Sequence, residues 1–178
     1  IQNGEVGILC NGVNTAPTIK KCVIINNKDG IRCNNGSYPD ISYSQILNNT
    51  QYGINAGGGS LENCRISGNS KANIYNREGI IKNCVISNCL NGTGLIFDGF
   101  NAYTAISNCT IIGNYGHGIS YNINTGKICL EIKNCIISLN MQYGIYHKYG
   151  NQSIISNYNN IWGNVLGSFK TDYNSWAL

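Results

Sequence analysis

The sequence is poor in charge, in acidic groups and in long apolar runs, and each shortage excludes something. Charged residues make up 11 per cent of the 178, with 12 Lys and Arg against 8 Asp and Glu, a formal net charge of +4. That charge is small and its basic residues are scattered, with Lys20-Lys21 the sole adjacent pair. No phosphate-tracking stripe results, and a nucleic-acid partner is not expected. No run has the apolar length needed to span a bilayer, and the first residues lack the basic and apolar regions of a signal peptide. No close C-x-x-C or Cys-His pairing of zinc type occurs, and no three acidic residues fall together as a calcium site. No metal or other cofactor is therefore implied.

What is abundant is isoleucine, 28 copies, and asparagine, 30, and both are distributed periodically. The stretch Ile106-Ser-Asn-Cys-Thr-Ile-Ile-Gly-Asn-Tyr-Gly-His-Gly-Ile119 sets a frame, I-x-x-C-x-I-x-x-N-x-x-x-G-I, that returns along nearly the whole chain. Its cysteine column reads Cys22, Ser44, Cys64, Cys84, Cys109, Cys135 and Asn159, in steps of 22, 20, 20, 25, 26 and 24 residues. Two residues later stand Ile24, Ile46, Ile66, Ile86, Ile111, Ile137 and Ile161. Periods of this length belong to solenoids. The leucine-rich repeat shares the period but needs a leucine frame; here Cys-x-Ile pairs with period-2 spacing predict short strands. Stacked coils place like residues about 4.8 Å apart, the spacing of strands in a sheet.

An asparagine column supports the stack: Asn27, Asn49, Asn69, Asn114, Asn140 and Asn164 follow the ladder position by five residues, interrupted only by Cys89. An amide both donates and accepts, so a stack can satisfy groups that one copy would leave unpaired. Gly30, Gly53, Gly94, Gly118 and Gly144 precede the next apolar residue, with Asn73 in the same slot, and positive φ is expected there. The cysteines of the ladder are expected to be buried thiols, since stacked parallel strands direct Cβ vectors poorly for a bridge. Alternation turns Cys129 outward.

On the Asn-Cys-x-Ile units at Asn63, Asn83, Asn108 and Asn134 and the Asn and Gly-Ile columns behind them, the chain resembles the right-handed parallel β-helix repeat proteins, the pectate-lyase-like superfamily. The resemblance covers essentially the whole chain. The expected architecture is all-β: one parallel β-helix domain over residues 1–178, about seven coils. Gly7-Ile8-Leu9-Cys10 already matches Gly30-Ile31-Arg32-Cys33, so one or both caps are expected to be missing and the domain to be part of a longer chain. The family's range implies a secreted or cell-surface module that binds polysaccharide or supports structure within a carbohydrate-handling or envelope protein. The alternative is a lyase, hydrolase or epimerase acting on uronate glycans.

Loops lengthen in the later coils, from Gly99 to Ala105 and Asn122 to Lys127, and inserted loops on one face commonly carry a binding surface. Three residues beyond the apolar residue of each Gly-Ile unit a mixed column holds Arg77, Asp98 and Lys148, with Glu78 adjacent, and these read as candidate catalytic acid, base and cation groups of the kind used on acidic sugars. Tyr75, Tyr103, Tyr121, Tyr146 and Tyr149 flank it as candidate sugar-stacking platforms. The same column also reads as a solvated turn with one weak ion pair. Gly116-His117-Gly118 is similar to part of the polygalacturonase signature, and Gly144-Ile-Tyr-His-Lys148 to its lysine-bearing segment, which implies catalytic roles for His117 and Lys148. Gly92-Thr93 stands where that family pairs its aspartates, and Tyr146 where it has arginine. An inverting hydrolase needs two carboxylates roughly 6.5–9.5 Å apart, and no such pair falls in register. His147 alternates inward as a core residue.

The same register turns an apolar strip outward, with Val23, Ile25, Val85, Ile112, Ile136 and Trp162 among Ser67, Ser87, Ser138 and other polar residues. A soluble monomer seldom leaves such a patch bare, so a protein partner, a further domain or a second subunit is expected to cover it.

Overall fold

A computed structural model describes residues 1–76, 78–98, 103–123, 129–149 and 153–172. Among the described residues there is no helix, and the strands form three parallel sheets. Sheet I has eight strands: Val6–Asn11, Asp29–Asn34, Tyr52–Asn55, Ala72–Tyr75, Thr93–Phe97, Ile119–Tyr121, Tyr143–His147 and Gly167–Thr171. Sheet II has seven, from Thr18–Lys20 to Ser153–Asn157, and sheet III seven, from Val23–Ile25 to Asn160–Trp162. The chain passes II, III, I and repeats, and every strand pairs with its counterpart one coil on. The register is the one the periods predict: Ile24 opposite Ile46, Ile46 opposite Ile66, Ile86 opposite Ile111 and Ile111 opposite Ile137. The parallel β-solenoid expected from the repeat is the observed fold.

Strands of three residues suffice because only the central one faces in. Ile24, Ile46, Ile66, Ile86, Ile111 and Ile137 are fully buried, as are Ile41, Leu61 and Ile81 of sheet II and Ile31, Ile54 and Ile74 of sheet I. The three apolar columns form one buried cluster, so truncating a member leaves a cavity in the shared core. Ile111→Ala is expected to lower stability by about 2–5 kcal/mol, measured by denaturant unfolding; a loss well under 1 kcal/mol would mean the columns are loosely packed.

The cysteine column turns inward as expected. Cys64, Cys84, Cys109 and Cys135 are buried and Cys22, in the first coil, is half-buried. All nine cysteines are thiols. Sulfur here does the work of a hydroxyl: the N–H groups of Ser44, Cys84 and Cys109 donate to Cys64, Cys109 and Cys135 Sγ at 3.4, 3.4 and 3.5 Å. Ser44 Oγ and Asn159 Oδ1 receive the corresponding bonds at 3.1 and 2.9 Å.

Positive φ lies elsewhere than expected. The residue before each ladder position holds it: Asn63, Asn83, Asn108 and Asn134, at 55°, 54°, 53° and 53°, make the bend between sheets II and III. Asn26, Asn48, Gly68, Asn88 and Gly113 do the same between sheets III and I, where Leu139 at 55° is the costly exception. Asparagine tolerates this region better than other non-glycine residues, which accounts for the Asn of Asn-Cys. The glycine column before the apolar residue has ordinary φ and is required by contact instead. A Cβ on Gly118 would lie 2.6 Å from Gly144 O and 2.9 Å from Asn140 Nδ2, and one on Gly53 2.5 Å from Asn73 O.

The asparagine ladder is continuous through the coil where its column reads Cys89. In regular coils Asn49 N–H and Nδ2 both donate to Asn69 Oδ1, at 3.0 and 2.8 Å. Asn69 instead donates from Nδ2 to Asn73 Oδ1 at 2.8 Å, and Asn73 Nδ2 donates onward to Asn114 Oδ1 at 3.0 Å. Asn73 occupies the glycine slot. The shorter Cys89 side chain leaves room for it, and its amide replaces the one that position 89 lacks.

On the outside of sheet III, Val23, Val85, Ile136 and Trp162 are exposed, and Ile25 and Ile112 half-buried. Ser67, Ser87 and Ser138, expected in solvent, are buried. They are small residues set in register beside Leu47, Ile112 and Trp162, which shade them, and Ser87 Oγ donates to Ser67 Oγ at 3.0 Å. The apolar strip is thus interrupted by recessed hydroxyls.

Candidate functional site

Sheet I strands carry one column in unbroken register on the face opposite the isoleucines: Arg32, Asn55, Tyr75, Ile96, Ser120, Tyr146 and Lys170, with Ser120 recessed at 5 % exposure. A second column at the strand entrances, including Asp29, Tyr52, Thr93, His117 and Tyr143, borders it. Side chains from these two columns meet in two clusters. Three strand spacings separate Tyr75 from Tyr146, about 14 Å.

The first cluster is aromatic. The His117 ring stacks on Tyr146 at a centroid distance of 4.6 Å and 18°, and on Tyr143 at 5.8 Å and 15°. The Tyr143 N–H donates to His117 Nδ1 at 3.2 Å, and the His117 N–H to Thr93 Oγ1 at 3.3 Å. With Nδ1 accepting, the neutral ring carries its hydrogen on Nε2. Burial pushes the imidazole below its ordinary pKa, against a smaller opposing pull from Asp172. The Tyr146 hydroxyl donates to the Asp172 carboxylate, which holds the phenol up at about 12, burial adding to the effect. Lys170 Nζ lies 4.0 Å from Asp172 Oδ1.

The second cluster is ionic. Asp29 is fully buried and accepts from Arg32 Nε at 2.8 Å, Asn55 Nδ2 at 3.0 Å and the Tyr52 N–H at 3.3 Å, with Arg32 Nη2 at 2.7 Å. Beside it Tyr52 and Tyr75 lie 4.9 Å apart at 31°, and Lys71 Nζ sits 5.7 Å from the Tyr52 ring centre. Asp29, Arg32, Tyr52 and Tyr143 were not singled out from the sequence. The signal was present, since Arg32 and Tyr75 share a repeat position.

Of the residues expected to form a site, the structure brings together His117 and Tyr146, with Tyr75 on the same column. Arg77 lies outside the described residues. Asp98 is exposed on the turn after its sheet I strand, its N–H donating to Asn76 Oδ1. Lys148 is on the equivalent turn two coils on, about 10 Å away by strand spacing, with Nζ 5.1 Å from the centre of the Tyr149 ring. Tyr103 belongs to the sheet II side, donating to Glu131 Oε2 at 2.7 Å. Tyr121 corrects the expectation of a stacking platform: it is 1 % exposed and packs inside against Phe97 and His147 at 6.2 and 5.2 Å. It pairs in register with His147, so the alternation that turns one inward turns both. Among the described residues no three His, Cys, Asp or Glu side chains are grouped to hold a metal, and no helix is long and apolar enough to cross a membrane.

Comparison with curated proteins and with solved structures returns no match. The sequence does match the family described as a right-handed beta helix region, over residues 29–175, in agreement with the three stacked parallel sheets and their coil-by-coil register. The chain belongs to the right-handed β-helix family.

Proposed function

We propose that the outer face of sheet I binds an extended acidic polysaccharide, as a non-catalytic module of a secreted or cell-surface protein. The observation that carries this reading is the stack of His117, Tyr143 and Tyr146, anchored through Asp172. Half-buried rings fixed in one orientation offer apolar faces to pyranose rings at little conformational cost. Tyr75 and Tyr52 form a second ring pair, Tyr75 lying three strands from Tyr146. Lys71 over Tyr52 is the cation on this track that no described carboxylate pairs, since Arg32 and Lys170 stand against Asp29 and Asp172. A ligand lying across the strands would meet both clusters.

Calorimetric titration with oligouronides tests the proposal. Tyr146→Ala is expected to weaken binding about tenfold, near 1.4 kcal/mol, with the circular dichroism of the sheets unchanged. No binding to any polyuronide, or full affinity in the variant, would sink it. The alternative, a lyase, hydrolase or epimerase using Arg77, Asp98, His117 and Lys148, draws less support. Nδ1 of His117 already accepts a backbone hydrogen, so the ring meets a ligand as a donor and not as a base, and Asp98 and Lys148 sit on turns two coils apart. Unsaturated products or new reducing ends in the same incubations would reverse that preference.

A further inference from the structure

The two histidines of the chain occupy consecutive coils, and both are built in as neutral rings. His117 Nδ1 accepts the Tyr143 N–H; a protonated ring would carry hydrogen on both nitrogens and set donor against donor there. His147 is 5 % exposed, and its Nε2 is buried without a hydrogen-bond partner among the described residues. A charge at that atom would stand in the core uncompensated.

The surroundings reinforce this. Around His117 are the Thr93 hydroxyl, the Tyr143 and Tyr146 rings and, beyond Tyr146, Asp172 with Lys170. Asp172 favours the charged ring, but burial outweighs it. Around His147 lie the Tyr121 ring and, in register on the next strand, Thr171; Cys129 acts on Tyr121 from the neighbouring sheet. Burial alone acts on His147, again downward.

We propose that the coils from His117 onward are an acid-sensitive segment, which opens as the pH falls below neutrality while the earlier coils stay closed. The earlier coils contain no histidine, the side chain whose ordinary titration falls in this range. The sign follows from linkage. With both folded pKa values below the ordinary value of about 6.5, the opened chain takes up protons first. Closure is fully favoured above about pH 6.5 and weakens as the pH falls towards the folded values. Each histidine can shift the closed-to-open ratio by up to about tenfold per pH unit, so the pair by up to about 100-fold at pH 5.5. This inference is independent of any carbohydrate ligand.

Hydrogen exchange of the 178-residue chain at pH 7.5 and 5.5, corrected for intrinsic rates, tests it by mass spectrometry. Amides of Ile119–Tyr121 and Tyr143–His147 are expected to open more at pH 5.5, by up to about 100-fold, while those of Asp29–Asn34 and Ala72–Tyr75 keep their protection. A variant joining His117→Gln, whose side-chain oxygen can accept the Tyr143 N–H, with His147→Phe should remove the difference. Equal protection at both pH values, a uniform loss along the chain, or a loss that persists in the variant overturns the proposal. If the variant does not fold, an NMR titration of the two imidazoles decides: protonation must coincide with the rise in exchange, and protonation without it overturns the idea.

Discussion

Replacing Asn114 with alanine is expected to cost about 2–6 kcal/mol, among the largest losses any single substitution in this chain should produce. The amide is fully buried and works in both directions. Its Oδ1 accepts from the Cys89 N–H and Asn73 Nδ2, each at 3.0 Å, and its Nδ2 donates to Asn140 Oδ1 at 2.9 Å. Alanine would leave two donors without an acceptor and would remove one of the donors to Asn140. Each unsatisfied buried group costs about 1–3 kcal/mol, and the interior offers no compensating mobility. Denaturant unfolding measures the loss, and Asn114→Asp separates the parts: the carboxylate keeps the acceptor but loses the donor and buries a charge. A loss below about 1 kcal/mol for the alanine variant would mean that water enters and replaces the amide.

The second large effect is a coupling. Asn73→Gly should cost about 2–4 kcal/mol, because the Asn69 amide loses its nearest acceptor and Ser87 O loses the side-chain donor now 2.8 Å away. Cys89→Asn should also destabilise, since a longer side chain at the ladder position competes for the volume Asn73 fills. The double variant restores the arrangement of the neighbouring coils, glycine in the slot and asparagine in the ladder, as Gly53 with Asn69 and Gly94 with Asn114. It should recover most of the stability, giving a favourable coupling of about 2–3 kcal/mol. Strict additivity of the two losses would show that Asn73 does not substitute for the missing ladder amide.

Both predictions rest on columns that are partly visible in the chain itself. One coil repeats the last with a translation, so a residue's neighbours across the sheet are the residues one period away. Spacing alone therefore determined the parallel solenoid, the inward isoleucine and cysteine columns, and the pairing of Ile86 with Ile111. It also turned His147 inward, and the same parity, applied to Tyr121, would have placed that ring in the core.

Only the tertiary structure decided what happens between columns. The positive φ sits on Asn63, Asn83, Asn108 and Asn134 and not on the glycine column of Gly53, Gly94 and Gly118, because the tight bend precedes the ladder residue, while those glycines make room for a carbonyl and an amide of the adjacent coil. Asn73 reaches the ladder from a different repeat position, a contact that no spacing within one column contains. Likewise the meeting of His117, Tyr143, Tyr146 and Asp172 draws on three coils and more than one column. A repeat fixes which residues stack along the solenoid axis; contacts around its circumference depend on side-chain direction at the bends, and those the three-dimensional packing sets.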